Sequence, residues 1–98
     1  MNIQLVKNAD ETIIEVVGRL DTNTAPTLDK TINEDIDGTK NLVLNFKGLE
    51  YISSAGLRVI LSAQKKMQQI GSMKLINVSE EVMEVLEMTG FADILVIE

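Results

Sequence analysis

The sequence predicts an α/β fold in which helices pack on a mixed β-sheet. Short segments rich in apolar and β-branched residues alternate with longer segments whose apolar residues recur at helical spacing, and this alternation is typical of α/β domains. The chain has 98 residues, 45% of them hydrophobic, which suits one ordinary domain around one core. No linker, internal repeat or low-complexity segment divides it, so we expect a single domain over residues 1–98.

The N-terminal segment predicts a β-hairpin. Ile3, Leu5 and Val6 indicate a short first strand, and the apolar run at residues 12–18 indicates a second. The intervening residues 8–11 supply the turn.

A helix is predicted after this hairpin. Thr24 is suited to cap the helix, and Pro26 falls in the first turn, where proline is tolerated. Gly38 marks its end. The apolar residues at helical spacing are Leu28, Ile32 and Ile36.

A central strand and a long helix are predicted next. Residues 41–46, NLVLNF, form a nearly continuous apolar run, which is typical of a strand covered on both faces. The helical pattern is strong over residues 54–70, and Gly71 supplies the C-terminal stop. At about 100° per residue, one side of this helix is apolar and is expected to face the core. That side comprises Gly56, Ile60, Ala63, Met67 and Ile70, with Val59 at its edge.

The C-terminal part predicts a fourth strand at residues 73–78 and a third helix that begins at Ser79 and ends at Gly90. The acidic residues that follow Ser79 suit the positive end of the helix dipole. Residues 92–98 are interpreted as a last strand or an extended tail. Four methionines are expected to fill gaps in the core, namely Met67, Met73, Met83 and Met88.

The charge balance and the missing residue types exclude several classes of function. The net charge of −6 repels the phosphate backbone of DNA and RNA, so no nucleic-acid partner is expected. The absence of cysteine and histidine removes disulfides, soft zinc sites and Ser-His or Cys-His catalytic arrangements, and no cofactor is predicted. No apolar run approaches the roughly 20 residues that span a bilayer, and the N-terminus lacks a signal-peptide pattern. We therefore expect a cytoplasmic protein without membrane insertion.

The segment LEYISSAGLRVIL at residues 49–61 is the strongest candidate for a functional site. Ser53 or Ser54 can cap the long helix by accepting a hydrogen bond from a free N–H group. Capping needs only one serine, and Gly56 in the first turn lowers helix stability relative to alanine. Close approach of another backbone, or of a partner molecule, would explain that glycine.

The helical projection places Ser54 on an exposed stripe opposite the core. Arg58 and Lys65 share this stripe, and Leu61 is its apolar member. A serine at a helix start is a favourable place for a phosphate, which meets free N–H groups and the positive end of the dipole. Arg58, one turn further on, is placed to pair with such a phosphate.

These segments resemble the STAS domains, and within them the small single-domain anti-sigma factor antagonists of bacteria. The resemblance covers essentially the whole chain and rests on GRLDTNTAPTL, NLVLNFKGLEYISSAGLRVIL and VMEVLEMTGFADIL. It implies one STAS-like domain over residues 1–98, with a mixed four- to five-stranded β-sheet and three to four helices packed mainly on one face.

The resemblance implies that Ser54 is a phosphorylation site. The family pattern is an aspartate, a phosphorylatable serine, a small residue, glycine and leucine, and residues 54–57 match all but the first position. Ser53 stands where the family usually has aspartate, and Arg58 stands where a glycine is common. Asp21, in GRLD, matches an acidic position that the family has near the same surface. An ordinary Asx turn after a strand explains Asp21 equally well.

The mechanism implied by the resemblance is a partner switch. The unmodified domain would bind an anti-sigma factor that is also a serine kinase, and so release the sigma factor. Phosphorylation would end that binding, and a PP2C-type phosphatase would restore it. The protein itself is expected to be a monomer or weak dimer. The predicted partner-binding residues are Asp21, Thr22, Asn23, Ser53, Ser54, Gly56, Arg58, Leu61 and Lys65.

Two alternatives remain open from the sequence. The first is a STAS subunit that docks permanently to a transporter or a signalling scaffold and is never phosphorylated, which the missing aspartate before Ser54 favours. The second is an enzyme that uses acid pairs as general acid and base. The candidate pairs are Asp35 with Asp37 and Glu80 with Glu81, and both are more typical of solvated carboxylates in turns and helix starts. We therefore predict a binding protein and not an enzyme.

Overall fold

The computed structural model describes residues 1–98 as alternating strands and helices. The elements in chain order are β1 (Asn2–Asn8), β2 (Glu11–Leu20), α1 (Ala25–Asp35), β3 (Asn41–Asn45), β4 (Leu49–Ile52), α2 (Ser54–Ile70), β5 (Ser72–Ile76), α3 (Glu80–Met88) and a short 3-10 helix (Phe91–Asp93). The predicted α/β class with one mixed sheet is confirmed.

The sheet is built around β2, the longest strand. β1 pairs antiparallel with β2 after a two-residue turn, as the hairpin pattern predicts. The first half of β2 pairs in parallel with β3, and its last three residues pair in parallel with β4. The register shifts between Gly18 and Arg19, where the second pairing begins. β5 pairs in parallel with β3, so the order is β1-β2-β3-β5 with β4 beside the end of β2.

The core lies on one face of this sheet. Thr12, Ile14 and Val16 alternate along β2 as buried residues, whereas the residues between them are only half-buried. The helices bury the residues that helical spacing predicts, including Leu28 in α1 and Ile60 in α2. This burial of an apolar face on each element is the main stabilising contribution to the fold.

Several predictions differ from the structure. Ile70 was expected on the core side of the long helix but is 50% exposed, because it is the last residue of α2. Met88 was expected to fill the core but is 86% exposed at the end of α3. Residues 92–98 form neither a full strand nor a free tail, since the 3-10 helix is followed by a single bridge between Ile97 and Leu75. The sequence assigned no separate strand to β4.

Two glycines mark close approaches that a side chain would block. A Cβ atom on Gly56 would lie 2.7 Å from Cγ of Leu20 and 3.1 Å from Cγ1 of Ile52. A Cβ atom on Gly71 would overlap the carbonyl oxygen of Lys40, and Gly71 is the C-cap that ends α2, as predicted. The first turn of α2 therefore sits directly on the ends of β2 and β4.

We expect Gly56→Ala to destabilise the protein by about 1–3 kcal/mol, because overpacking against Leu20 outweighs the gain of about 1 kcal/mol in helix propensity. Urea unfolding measures the difference. Ser62→Ala, at an exposed position of the same helix, is the matched control and should raise stability by a few tenths of a kcal/mol. An equal or greater stabilisation by Gly56→Ala would contradict the packing explanation.

Candidate functional site

The carboxyl ends of β2 and β4 bring two segments of the candidate site together. Leu20 pairs with Ile52 in parallel register, and the Ser53 N–H donates to the Leu20 carbonyl oxygen at 2.9 Å. Because parallel strands end at the same edge of a sheet, the loop after β2 adjoins the start of α2. Parallel sheets commonly bind ligands at this edge.

The two serines at the start of α2 have different roles. Ser53 is the N-cap, with extended backbone (φ −99°, ψ 175°), and its Oγ accepts a hydrogen bond from the Gly56 N–H at 3.4 Å. Ser54 is the first helical residue and is exposed, and its hydroxyl makes no hydrogen bond within the chain. The sequence left open which of the two serines caps the helix. In the structure Ser53 is the cap, and the Ser54 oxygen is available to solvent.

The exposed stripe continues from Ser54 along α2. Arg58 and Lys65 are exposed, and neither forms a salt bridge. Leu61 is half-buried, so its side chain is only partly available on this face. Since residues four apart on a helix are neighbours, the Arg58 guanidinium can reach a group attached to Ser54. From Ser54 to Lys65 the stripe is about 16 Å long.

Asp21 organises the loop between β2 and α1. Its Oδ1 accepts hydrogen bonds from the N–H groups of Asn23 at 3.0 Å and Thr24 at 3.1 Å, which is the Asx turn expected from the sequence. Its Oδ2 lies 3.9 Å from Nε of Arg19. Thr22 and Asn23 are exposed beside it. The carboxylate therefore holds this loop in one conformation.

Thr24 occupies the N-cap position of α1 but does not cap the helix with its side chain, contrary to expectation. Its hydroxyl instead accepts from the Asp21 N–H and donates to the Arg19 carbonyl oxygen, both at 2.8 Å. These bonds tie the loop back to the end of β2, which explains why the hydroxyl is not free to cap.

The pKa of the Asp21 carboxyl is held below its ordinary value of 3.8. Desolvation acts to raise this pKa, but the hydrogen bonds from Thr24 and Asn23 and the charge of Arg19 together outweigh it. Asp21 is therefore ionised at neutral pH and places a negative charge, paired with Arg19, in the loop that adjoins the start of α2.

One predicted site residue lies elsewhere. Gly56 is buried on the side of the first turn of α2 that faces Leu20 and Ile52, away from a partner. Its role is to let the helix approach the sheet, which corrects its place among the partner-binding residues. The other eight predicted residues lie on the loop after β2 or on the start and exposed stripe of α2.

An exposed pair beside the site was not predicted. The Arg19 guanidinium lies 4.2 Å from the centre of the Tyr51 ring, and these two residues are register partners on β2 and β4. Both are exposed. No sequence pattern identifies the pair without first recognising β4, whose four residues show no regular alternation.

The acid pairs considered for catalysis are separate from this edge. Asp35 lies 3.9 Å from Nζ of Lys7, and Glu80 and Glu81 are exposed in the first turn of α3. Their positions match ion pairing and the helix dipole. None of the helices combines the length and apolar character that a membrane crossing requires.

Comparisons with known proteins agree with the fold. The chain is 29% identical over 96 residues to the anti-sigma-B factor antagonist of Bacillus subtilis, covering 97% of this chain and 88% of that protein. It is 37% identical over 79 residues to BtrV of Bordetella bronchiseptica, whose assignment as an anti-sigma factor antagonist is provisional. That match covers 79% of this chain and 68% of BtrV.

The solved structures of the Bacillus anti-sigma factor antagonist SpoIIAA have the same fold. The unphosphorylated form superposes with a TM-score of 0.86 at 21% identity, covering 99% of this chain and 88% of SpoIIAA. The phosphorylated form gives a TM-score of 0.78 at 20% identity, covering 99% and 91%.

The match to a family model covers nearly the whole chain. The model of the STAS domain family matches residues 2–98, which include every strand and helix and the serine junction. The chain belongs to the STAS domain family.

Proposed function

We propose that this protein is an anti-sigma factor antagonist whose partner binding is switched by phosphorylation of Ser54. The unmodified form binds an anti-sigma factor serine kinase and releases the sigma factor. A PP2C-type phosphatase reverses the modification. These partners imply a cytoplasmic protein that acts by binding and not by catalysis. The observation that carries the proposal is the exposed Ser54 hydroxyl at the start of α2, free because Ser53 caps the helix.

The relatives support this proposal. The B. subtilis protein is named an anti-sigma-B factor antagonist, and SpoIIAA has been solved with and without phosphorylation. In the proposed reaction the γ-phosphoryl group of ATP passes to Oγ of Ser54, ADP leaves, and the hydroxyl proton goes to a base of the kinase. The half-buried Ser53 is a poorer acceptor because its oxygen already receives the Gly56 N–H.

The magnitude of the switch follows from charge. A phosphoserine at position 54 adds about −1.5 to −2 charge to the surface that would meet the partner. Like-charge contact at an interface costs several kcal/mol, which corresponds to roughly two to three orders of magnitude in affinity. The helix N-terminus and Arg58 hold the phosphate in place without a change of fold. A local modification is therefore sufficient.

The first test compares Ser54→Asp with Ser54→Ala for binding to the cognate kinase by calorimetry. Aspartate adds a single charge, so we expect Ser54→Asp to weaken binding by roughly tenfold or more, whereas Ser54→Ala binds like the wild type. Aspartate in the first turn of a helix is favourable, so unfolding will not explain a loss of binding.

Ser62→Asp is the matched control for this test. It makes the same substitution on the same helix, about 12 Å further along, and should leave kinase affinity unchanged. Equal affinities for the aspartate and alanine variants at position 54 would instead support the permanently docked scaffold.

The second test locates the phosphate. The purified protein is incubated with the kinase and ATP, and the modified residue is identified by mass spectrometry. We expect one phosphate on Ser54 and none on Ser53, because Ser54 is exposed and its hydroxyl makes no hydrogen bond, whereas Ser53 is half-buried and its oxygen accepts the Gly56 N–H. Phosphate on Ser53, or no phosphate at all, would count against the switch.

The third test concerns the charged loop of the proposed surface. The folded pKa of Asp21 is lowered, so its carboxylate stabilises the fold fully above about pH 3.8 and loses that contribution as the pH falls through the lowered value. We expect Asp21→Asn to be less stable than the wild type at pH 7, and the difference to shrink below pH 3.8. Urea unfolding at both pH values measures it.

Asp37→Asn is the control for this test. Asp37 is exposed in the loop after α1, without a hydrogen bond or an ion pair, so its substitution should change stability little. A difference for Asp21→Asn that does not depend on pH would show that the carboxylate does not hold the loop.

A further inference from the structure

The outer edge of β1 is open over its whole length. β1 spans seven residues and pairs only with β2. The pairing runs from Asn2 to Asn8 without a register shift, and the strand contains no proline. Edge strands are commonly protected from pairing with another chain by bulges, prolines or charged side chains, and of these β1 has only a single lysine, Lys7.

The hairpin determines which backbone groups of β1 are free. Asn8 and Glu11 flank a two-residue turn and so form a hydrogen-bonded pair. Hydrogen-bonded and non-hydrogen-bonded pairs alternate along an antiparallel ladder. The N–H and C=O groups of Ile3, Leu5 and Lys7 therefore point away from β2, and none of them bonds to any other part of the chain.

The side chains of β1 form an exposed surface that is partly apolar and carries little charge. Leu5 is 37% exposed and Val6 is 51% exposed, on opposite faces of the strand. β1 contains no acidic residue, although the chain carries a net charge of −6. Its one charged side chain is Lys7, whose Nζ lies 3.9 Å from Asp35. The strand along which a second acidic copy would pair therefore carries no carboxylate of its own.

We propose that β1 pairs antiparallel with β1 of a second copy, about a twofold axis at Leu5. In this register Leu5 faces Leu5 of the second copy, and Ile3 faces Lys7 on each side of the axis. The strand is complementary to itself: the outward backbone groups meet in three hydrogen-bonded pairs, the two lysines are not opposite each other, and Asn2 faces Asn8 at the ends.

The pairing makes a small interface and leaves the serine junction accessible. Two seven-residue strands bury less than the roughly 1,200 Å² typical of stable complexes, so the dimer dissociates readily. β4 and the start of α2 lie on the other side of β2 from β1. Both copies of Ser54 therefore remain exposed, and this proposal does not depend on the phosphorylation switch.

Sedimentation equilibrium of the purified protein tests the proposal. We expect the wild type to show a reversible monomer–dimer equilibrium at concentrations up to about 1 mM. Leu5→Lys and Leu5→Glu each place like charges directly opposite one another and should raise the dissociation constant by roughly tenfold or more. An equimolar mixture of the two variants should restore dimerisation, because lysine then faces glutamate.

Met88→Lys is the matched control, since Met88 is the most exposed large apolar residue and lies on α3. It should leave the dissociation constant unchanged, and circular dichroism confirms that all variants are folded. A wild type that remains monomeric would overturn the proposal. So would a dimer that Leu5→Lys does not weaken, one that Met88→Lys disrupts, or failure of the mixture to restore association.

Discussion

The parallel pairing of β4 with the end of β2 is the constraint on which the site depends. It joins Leu20 to Ile52 and leaves the Ser53 N–H bonded to the Leu20 carbonyl oxygen. Leu20 is fully buried beneath Gly56, so the first turn of α2 is seated on the same two strands. Without this contact, the Asp21 loop and the two serines would have no fixed relation to each other, although each could keep its local conformation.

A small number of charged groups determine the electrostatic potential at this edge of the sheet. The N-terminus of α2 carries partial positive charge, Arg58 adds a full positive charge, and Asp21 is held ionised by its loop. Ser53 caps the helix with a neutral hydroxyl. The one carboxylate among these groups, on Asp21, lies 3.9 Å from the Arg19 guanidinium, which partly balances its charge.

Sequence patterns predicted the strands and helices that bury one complete face. The hairpin, the α2 face through Ile60 and the stop at Gly71 follow from periodicity and turn residues, because burial imposes a regular pattern there. The same patterns gave wrong predictions of burial at the ends of two helices. Ile70 and Met88 continue the apolar stripes of α2 and α3, but each is the last residue of its helix and is exposed.

At the site, exposure of Ser54 followed from helical projection, but other features did not. β4 is four residues long and takes its conformation from β2, so its own residues carry no strand signal. The Arg19–Tyr51 contact depends on that strand and was missed for the same reason. Thr24 looked like a cap because of its position, whereas its hydroxyl is used by backbone groups of the preceding loop. A local sequence pattern does not distinguish between such competing hydrogen bonds.

Ser53 caps the helix while the adjacent Ser54 is exposed, and this division of roles has an evolutionary consequence. Any short polar residue that accepts the Gly56 N–H can replace Ser53 without moving Ser54, so the residue beside the exposed serine can vary while the helix stays in place. Paralogous proteins with this fold can therefore diverge at that single neighbouring position.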